Sequence, residues 1–200
     1  MGVDVDALED YCQFGAERVY LLLAIARAKD NEAVPNSSES VSRKIVESPD
    51  DLARQVAALS HEVRRFDERY RLYLSVNARN TTAAFFRLRE RMDDWLEMRF
   101  RGNVEVIRKF TRLDREFLSV LQSDSCKDDS NLLFDLDDVA SATADEFERD
   151  LSAVTSILWR QETPNGYHIV TEPFDYTVFE ANEGYELKRD DLLFISSLDD

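Results

Sequence analysis

Leu132-Leu133-Phe134-Asp135-Leu136-Asp137-Asp138 is an apolar run that ends in Asp-x-Asp. Side chains alternate faces along a strand, so Asp135 and Asp137 project from one face while Leu136 points to the other. Two carboxylates held that close repel each other unless a positive charge lies between them. Hard divalent cations such as Mg²⁺ are held in this way, with phosphate oxygens completing the shell. A second run follows one helical span later: Thr163-Pro164-Asn165-Gly166-Tyr167-His168-Ile169-Val170. It reads as a tight Pro-Asn-Gly turn feeding a strand that starts with His168.

Outward from these runs, the last third predicts a short helix over 145–154 carrying Phe147, Leu151 and Val154. Strands are expected over 156–161 and 168–171, then a turn over 181–184. Short strands over 185–188 and 192–195 flank Arg189-Asp190-Asp191, in the manner of a hairpin. Residues 123–130 read as a solvated acidic loop, since Asp124, Asp128 and Asp129 lack the glycine and closing glutamate of a Ca²⁺ loop.

The first two thirds read as βα followed by βαα. A short helix is expected within 3–17, with Leu8, Tyr11 and Cys12 inward. Residues 18–27 predict a strand covered on both faces. Residues 29–42 hold the breakers Asn31, Pro35, Asn36, Ser37 and Ser38 and read as a loop. Pro49, Asp50 and Asp51 open a helix whose stripe is Leu52, Val56, Leu59, Val63, Phe66 and Tyr70, with His61 on the surface. Residues 71–79 predict a strand with Leu72, Leu74 and Val76 on one face. Asn80 and Thr81 cap a helix with Phe85, Leu88, Met92 and Trp95 inward. Past Gly102 and Asn103, Ile107, Phe110, Leu113, Phe117 and Leu121 mark a further helix. The sum is an α+β fold: a mainly antiparallel, RRM-like sheet with helices packed on one side and an N-terminal α/β elaboration. The parts are 1–125, α/β and helical, and 126–200, carrying both motifs, in one compact unit.

The 200 residues carry a net charge of −16, with 20 Arg against 5 Lys and 23 Asp against 18 Glu. That composition resembles a salt-adapted cytoplasm, and the acidic total taken alone argues against nucleic acid. The charge is uneven, however. Residues 54–115 hold 15 Lys+Arg and 9 Asp+Glu, a balance of +6, so the remainder carries −22. A basic middle leaves room for a polyanion, with Arg79, Arg87 and Arg91 as candidate contacts. The bland alternative is local pairing, such as Asp67 with Arg71. No apolar run nears the roughly 20 residues of a membrane span. The acidic N-terminal stretch does not read as a signal peptide, so none is expected. Cys12 and Cys126 lack metal-ligand spacing; free thiols in a reducing cytoplasm are expected, with a disulfide between them as the alternative.

Together the motifs resemble the archaeo-eukaryotic primase superfamily, in particular the primase-polymerase branch found in plasmids and viruses, and with the acidic composition a halophilic archaeon or its virus or plasmid is the expected source. Phe134-Asp135-Leu136-Asp137 matches its Asp-x-Asp strand. Thr163-Pro164-Asn165-Gly166-Tyr167-His168 matches its Thr-Pro-Ser-Gly-Gly-x-His-like segment with one residue fewer. Tyr185-Glu186-Leu187-Lys188 falls where its hydrophobic-acidic strand is expected, with Glu for the usual Asp. Val76-Asn77-Ala78-Arg79 is similar to an upstream Asn-Pro-Arg element with Ala for Pro. The resemblance covers about the last seventy residues well and the earlier part loosely. It implies template-directed synthesis from nucleoside triphosphates on single-stranded nucleic acid, with replication proteins as partners. It also implies that Asp135, Asp137 and Glu186 hold Mg²⁺ or Mn²⁺ and that His168 binds the incoming nucleotide.

From the residues themselves, Lys188 joins His168 as a candidate nucleotide contact, and Asp190, Asp191 or Asp175 could replace Glu186 as third carboxylate; the matched motif implies Thr163 and Asn165 as further nucleotide contacts. Rival functions are a non-catalytic nucleic-acid-binding or replication-initiation module of the same fold, a halophilic virion or interaction protein, and a two-carboxylate nuclease.

Overall fold

Eight apolar residues in succession need cover on both faces, and β1 (Arg18–Ala26) receives it. In the computed structural model, which describes residues 3–32, 34, 40–179 and 184–198, β1 is an inner strand. It pairs antiparallel with β2 (Ser40–Val46) on one side and β3 (Arg71–Ser75) on the other. β9 (Leu192–Ser197) continues the sheet beyond β3, and the two-residue β4 (Arg79–Asn80) pairs with the start of β1.

One face of this first sheet presents Tyr20, Leu22, Leu72, Leu74, Leu193 and Ile195. It packs on Leu8 of α1 (Val5–Tyr11) and on Leu52, Leu59 and Val63 of α2 (Pro49–Val63). The other face presents Leu21, Leu23, Ile25, Tyr73 and Phe194 to α3 (Thr81–Phe100) and α5 (Leu113–Leu121). The helix starts at Pro49 and after Asn80 agree with the sequence reading, while the Ser48 cap is outside that reading and Thr81 is the first residue of α3. Ser48 accepts from Asp51 N–H ahead of Pro49, and Asn80 accepts from Ala83 N–H at 2.8 Å. Gly102 follows α3 at φ 97°, and the short α4 (Ile107–Phe110) comes next.

A second antiparallel sheet has the order β6 (Ile157–Thr163), β7 (Gly166–Thr171), β5 (Leu132–Asp137), β8 (Glu186–Lys188). Leu132, Phe134, Leu136 and Ile169 point to Phe147 and Leu151 of α6 (Ser141–Ser152), under the rings of Phe174, Phe179 and Tyr185. From the opposite face Leu133 and Val170 enter the core beside Leu193 and Ile195 of the first sheet. Asp135, Asp137 and His168 share that face by alternation.

The class is α+β with antiparallel sheets. Its details differ from the sequence reading: the strand expected over 71–79 ends at Ser75, and the helix expected over 107–121 is split into α4 and α5. There are two sheets, and the first is covered by helices on both faces. The span read as a loop up to Ser42 already holds the start of β2, an edge strand whose Ser, Arg and Lys conceal its periodicity. β8 and β9 form no hairpin: β8 pairs with β5 and β9 with β3, so segment 126–200 is divided between the sheets. α2 ends at Val63, which leaves Phe66 exposed while Tyr70 is buried beyond it. Phe85, Ile107 and Val154 are exposed as well. Phe85 lies a helical step off the line through Ala84, Leu88 and Trp95, and Val154 lies past the C-cap of α6.

The breakers at 35–38 and most of the turn at 181–184 lie outside the described residues. Cys12 and Cys126 are buried free thiols, and burial ahead of the nearby Glu9 carboxylate pushes the Cys12 thiol up to about 12. Among the described residues, no helix is long and apolar enough to cross a membrane.

Candidate functional site

The β6–β7 hairpin closes on the pair Thr163↔Gly166, so Pro164 and Asn165 form its two-residue loop. Gly166 sits opposite Asp137, and a Cβ there would lie 1.9 Å from Leu136 O. No side chain fits that approach, which is the physical reason for glycine in the motif. The close pairing brings the hairpin beside the Asp-x-Asp strand end, where Asp138 adopts a positive φ of 57° and its N–H donates to Asn165 O at 2.7 Å.

Asp135, Asp137, Glu186 and His168, far apart in the chain, line one cleft of about 180 Å³ between the two sheets. The second sheet supplies the carboxylates of Asp135, Asp137 and Glu186, and Asp191 adds a fourth. Facing residues come from the first sheet and its following turn: Arg27, Lys29, Arg71 and Tyr73. A larger cavity, about 570 Å³, lies beside Leu8, Trp159 and Ser196, but it gathers no comparable set of charges. The smaller cleft is where the chemistry converges.

His168 is buried and used at both ring nitrogens. Phe194 N–H donates to Nδ1 at 3.2 Å, which places the imidazole proton on Nε2, 3.4 Å from Asp135 Oδ1. His168 thus ties β7 to β9 across the sheets and orients Asp135. Lys188 approaches the other oxygen: Nζ lies 2.8 Å from Asp135 Oδ2, 3.1 Å from Asp191 Oδ2 and 3.5 Å from Glu186 Oε2. Burial raises the Asp135 carboxyl, but hydrogen bonds and charge from His168 and Lys188 overcome it and hold the group well below the usual carboxylate range. For Lys188, burial acts downward and is outweighed by the Asp135 and Asp191 carboxylates, so its ammonium stays charged above the ordinary lysine range.

On the opposite wall Arg71 pairs with Asp30 at 2.5 Å, not with Asp67. The Arg27 guanidinium lies over the Tyr73 ring, 5.2 Å from its centroid. Lys29 Nζ is 2.9 Å from the Asn165 side-chain oxygen when that amide is oriented to satisfy both of its ends. Thr163 Oγ1 accepts from Asn165 N–H at 3.3 Å, so Thr163 and Asn165 shape the cleft mouth. Sequence reasoning passed over Arg27, Lys29 and Arg71. Their signal was present: Arg27 ends the apolar run of β1, and Arg71 opens the strand that pairs with it through Ile25↔Arg71.

The expected nucleic-acid contact at Arg79 is corrected. Arg79 is 2% exposed, and its fork grips both oxygens of Asp190 at 2.7 and 2.8 Å. Asn77 beside it donates to Asn131 O and Arg189 O and accepts from Asn131 N–H. The Asn-Ala-Arg element is therefore a clasp that fixes the β8–β9 connection. It also removes Asp190 as a third carboxylate. Asp175 is spent on capping Thr177 N–H and does not line the cleft. Arg87, paired with Glu90, and Arg91 are exposed on α3 and do not line the cleft either. Many charges of the basic window pair locally, as Arg54–Asp51 and Arg101–Glu97 do.

Among the described residues, no three His, Cys, Asp or Glu side chains stand gathered as a ready metal shell. The carboxylate oxygens of Asp135, Asp137, Glu186 and Asp191 are nonetheless the donor type that Mg²⁺ or Mn²⁺ takes. A cationic stand-in, the Lys188 ammonium, already sits among Asp135, Glu186 and Asp191. Comparisons with protein-family models, with curated proteins and with solved structures each found no match.

Proposed function

We propose that the protein is a small, cytoplasmic, metal-dependent nucleotidyltransferase of the primase-polymerase kind, extending or priming a strand on a single-stranded template. The observation that carries this reading is one cleft that gathers the carboxylates of Asp135, Asp137, Glu186 and Asp191 with the cations of Arg27, Lys29 and Arg71. A metal-bound nucleoside triphosphate presents the complementary pair: a divalent cation for the acids, and phosphate oxygens for Arg27, Lys29 and Arg71. Asp135, Asp137 and Glu186 are the residues to hold the metal, with Asp191 in reserve. When bound, Mg²⁺ or Mn²⁺ neutralises charge developing on the phosphates and lowers the pKa of an attacking hydroxyl. His168 is a positioning residue: with both nitrogens engaged inside the protein, it fixes the direction of Asp135. The RRM-like core implied by the motifs is compatible with the second sheet, on which α6 packs.

A specific observation favours a second reading, a non-catalytic single-strand-binding module. α3 exposes Phe85 (62%) and Phe86 (55%) on the helix that carries Arg87 and Arg91, and stacking rings beside cations are the means by which single strands are held. The deciding experiment measures incorporation of labelled nucleotides on a single-stranded template at high salt with Mg²⁺ or Mn²⁺. Under the first reading, Asp135→Ala with Asp137→Ala lowers incorporation by about a thousandfold or more while strand binding persists. No incorporation by the wild type, with strand binding that falls on Arg87→Ala and Arg91→Ala, establishes the second. Neither activity leaves a virion or interaction protein.

A further inference from the structure

Lys188 is the residue that the proposed metal site has to contend with. In β8 it lies opposite Leu133 and two residues beyond Glu186, so the two side chains share a strand face, and Asp191 follows three residues later. The result is one ammonium within 2.8, 3.1 and 3.5 Å of three carboxylates. A divalent cation bound by Asp135 and Glu186 needs the same oxygen atoms and brings a second positive charge to the same few ångströms. The two repel each other and compete for the same carboxylates. Lysine is suited to yielding its place: it is a compact point charge on a flexible four-carbon stem, unlike the rigid fork of arginine. The ligands differ in mobility too. The Asp135 side chain is 14% exposed and held by His168, whereas the Glu186 side chain is 72% exposed and free to adjust. Three carboxylates around one ammonium keep a net negative charge, and Asp137 adds to it within the cleft. Over the whole cleft Arg27, Lys29, Arg71 and Lys188 balance the four acids, so the excess of negative charge is local to the Lys188 ammonium.

We propose that Lys188 is a tethered counter-ion: it holds Asp135, Glu186 and Asp191 together before metal binds and swings out when a divalent cation takes its position. Lysine contact and metal occupancy are then mutually exclusive, and metal affinity is set by the cost of displacing the ammonium. The proposal rests on the reading that these acids bind a divalent cation.

The test is Mn²⁺ titration of the full chain without nucleotide, following free Mn²⁺ by electron paramagnetic resonance at fixed ionic strength. Wild type is compared with Lys188→Met, Lys188→Gln and Lys188→Arg. The two neutral variants are expected to bind Mn²⁺ about tenfold or more tightly than wild type, and Lys188→Arg to bind no more tightly than wild type. Thermal melting gives a second readout: without metal the neutral variants melt below wild type, and Mn²⁺ raises their Tm by more than it raises that of wild type. Should Lys188→Met fail to fold, Lys188→Gln preserves bulk and a donor to Asp135. Mn²⁺ affinity unchanged or weakened in the neutral variants, with wild type binding, overturns the counter-ion role alone. No Mn²⁺ binding by any of the four proteins at about 10 mM, above the range of the weakest hard-oxygen sites, overturns the metal reading and this proposal with it.

Discussion

Arg79→Ala is expected to lower folding stability by about 3–5 kcal/mol, the range for removing one member of a buried ion pair. Arg79 is 2% exposed, its two Nη groups bind both oxygens of Asp190, and Nη1 also donates to Ser123 O. Truncation leaves a largely buried carboxylate with no cation and a carbonyl with one donor fewer. The damage reaches the connection between β8 and β9, because Asp190 is the anchor that the Asn77–Arg79 clasp grips. Urea unfolding measures the loss as a drop in midpoint at constant slope. Arg79→Lys recovers only part of it, since a single ammonium cannot reproduce the fork. Arg79→Ala with Asp190→Ala costs less than the sum of the single changes, because the double variant leaves no buried charge behind. A loss below about 1 kcal/mol for Arg79→Ala places the pair in the class of solvated surface bridges instead.

Asp135→Asn is expected to cost about 2–3 kcal/mol near neutral pH, the scale of a charge-assisted bond to a mostly buried carboxylate. Its pH dependence identifies the cause. The folded-state pKa of Asp135 lies below the unfolded value, so its contribution is present above about pH 4 and is lost as pH falls through the folded value. Lys188 has the opposite sign. Its folded pKa lies above the unfolded one, so the same contact holds below about pH 10.4 and is lost as pH rises through the folded value. Both describe one ion pair and are not to be added. Equilibrium unfolding of wild type and Asp135→Asn across pH is expected to show a gap that is widest between those limits and closes toward the acid side. A gap independent of pH would assign the loss to packing instead.

The clearest local signals came through as structure. The Leu132–Asp137 run became β5, the Thr-Pro-Asn-Gly segment became the turn into β7, and the helices began at Pro49 and after Asn80. These features are decided by alternation, by the close approach at Gly166 and by side-chain caps, which neighbours in sequence determine. What the sequence concealed was decided by distant partners. β2 is an edge strand with no continuous apolar face. β8 and β9, close in sequence, belong to different sheets because Leu193 and Ile195 pack with the first sheet's core. Arg79 read as a free cation because Asp190, its partner, is 111 residues away. Half of the cleft was legible in the same sense. Its acids announce themselves as a motif, whereas Arg27, Lys29 and Arg71 acquire meaning only once β1 and β3 are folded opposite them.

The most direct test of the cleft as a metal and nucleotide site is anomalous scattering from a crystal of the protein grown with Mn²⁺ and a non-hydrolysable nucleoside triphosphate. The expected result is a Mn²⁺ peak in coordination distance of Asp135 and Asp137, Lys188 moved off Asp135, and the phosphates facing Arg27 and Lys29. A peak elsewhere, or a nucleotide bound with the Lys188–Asp135 pair still closed, would contradict it.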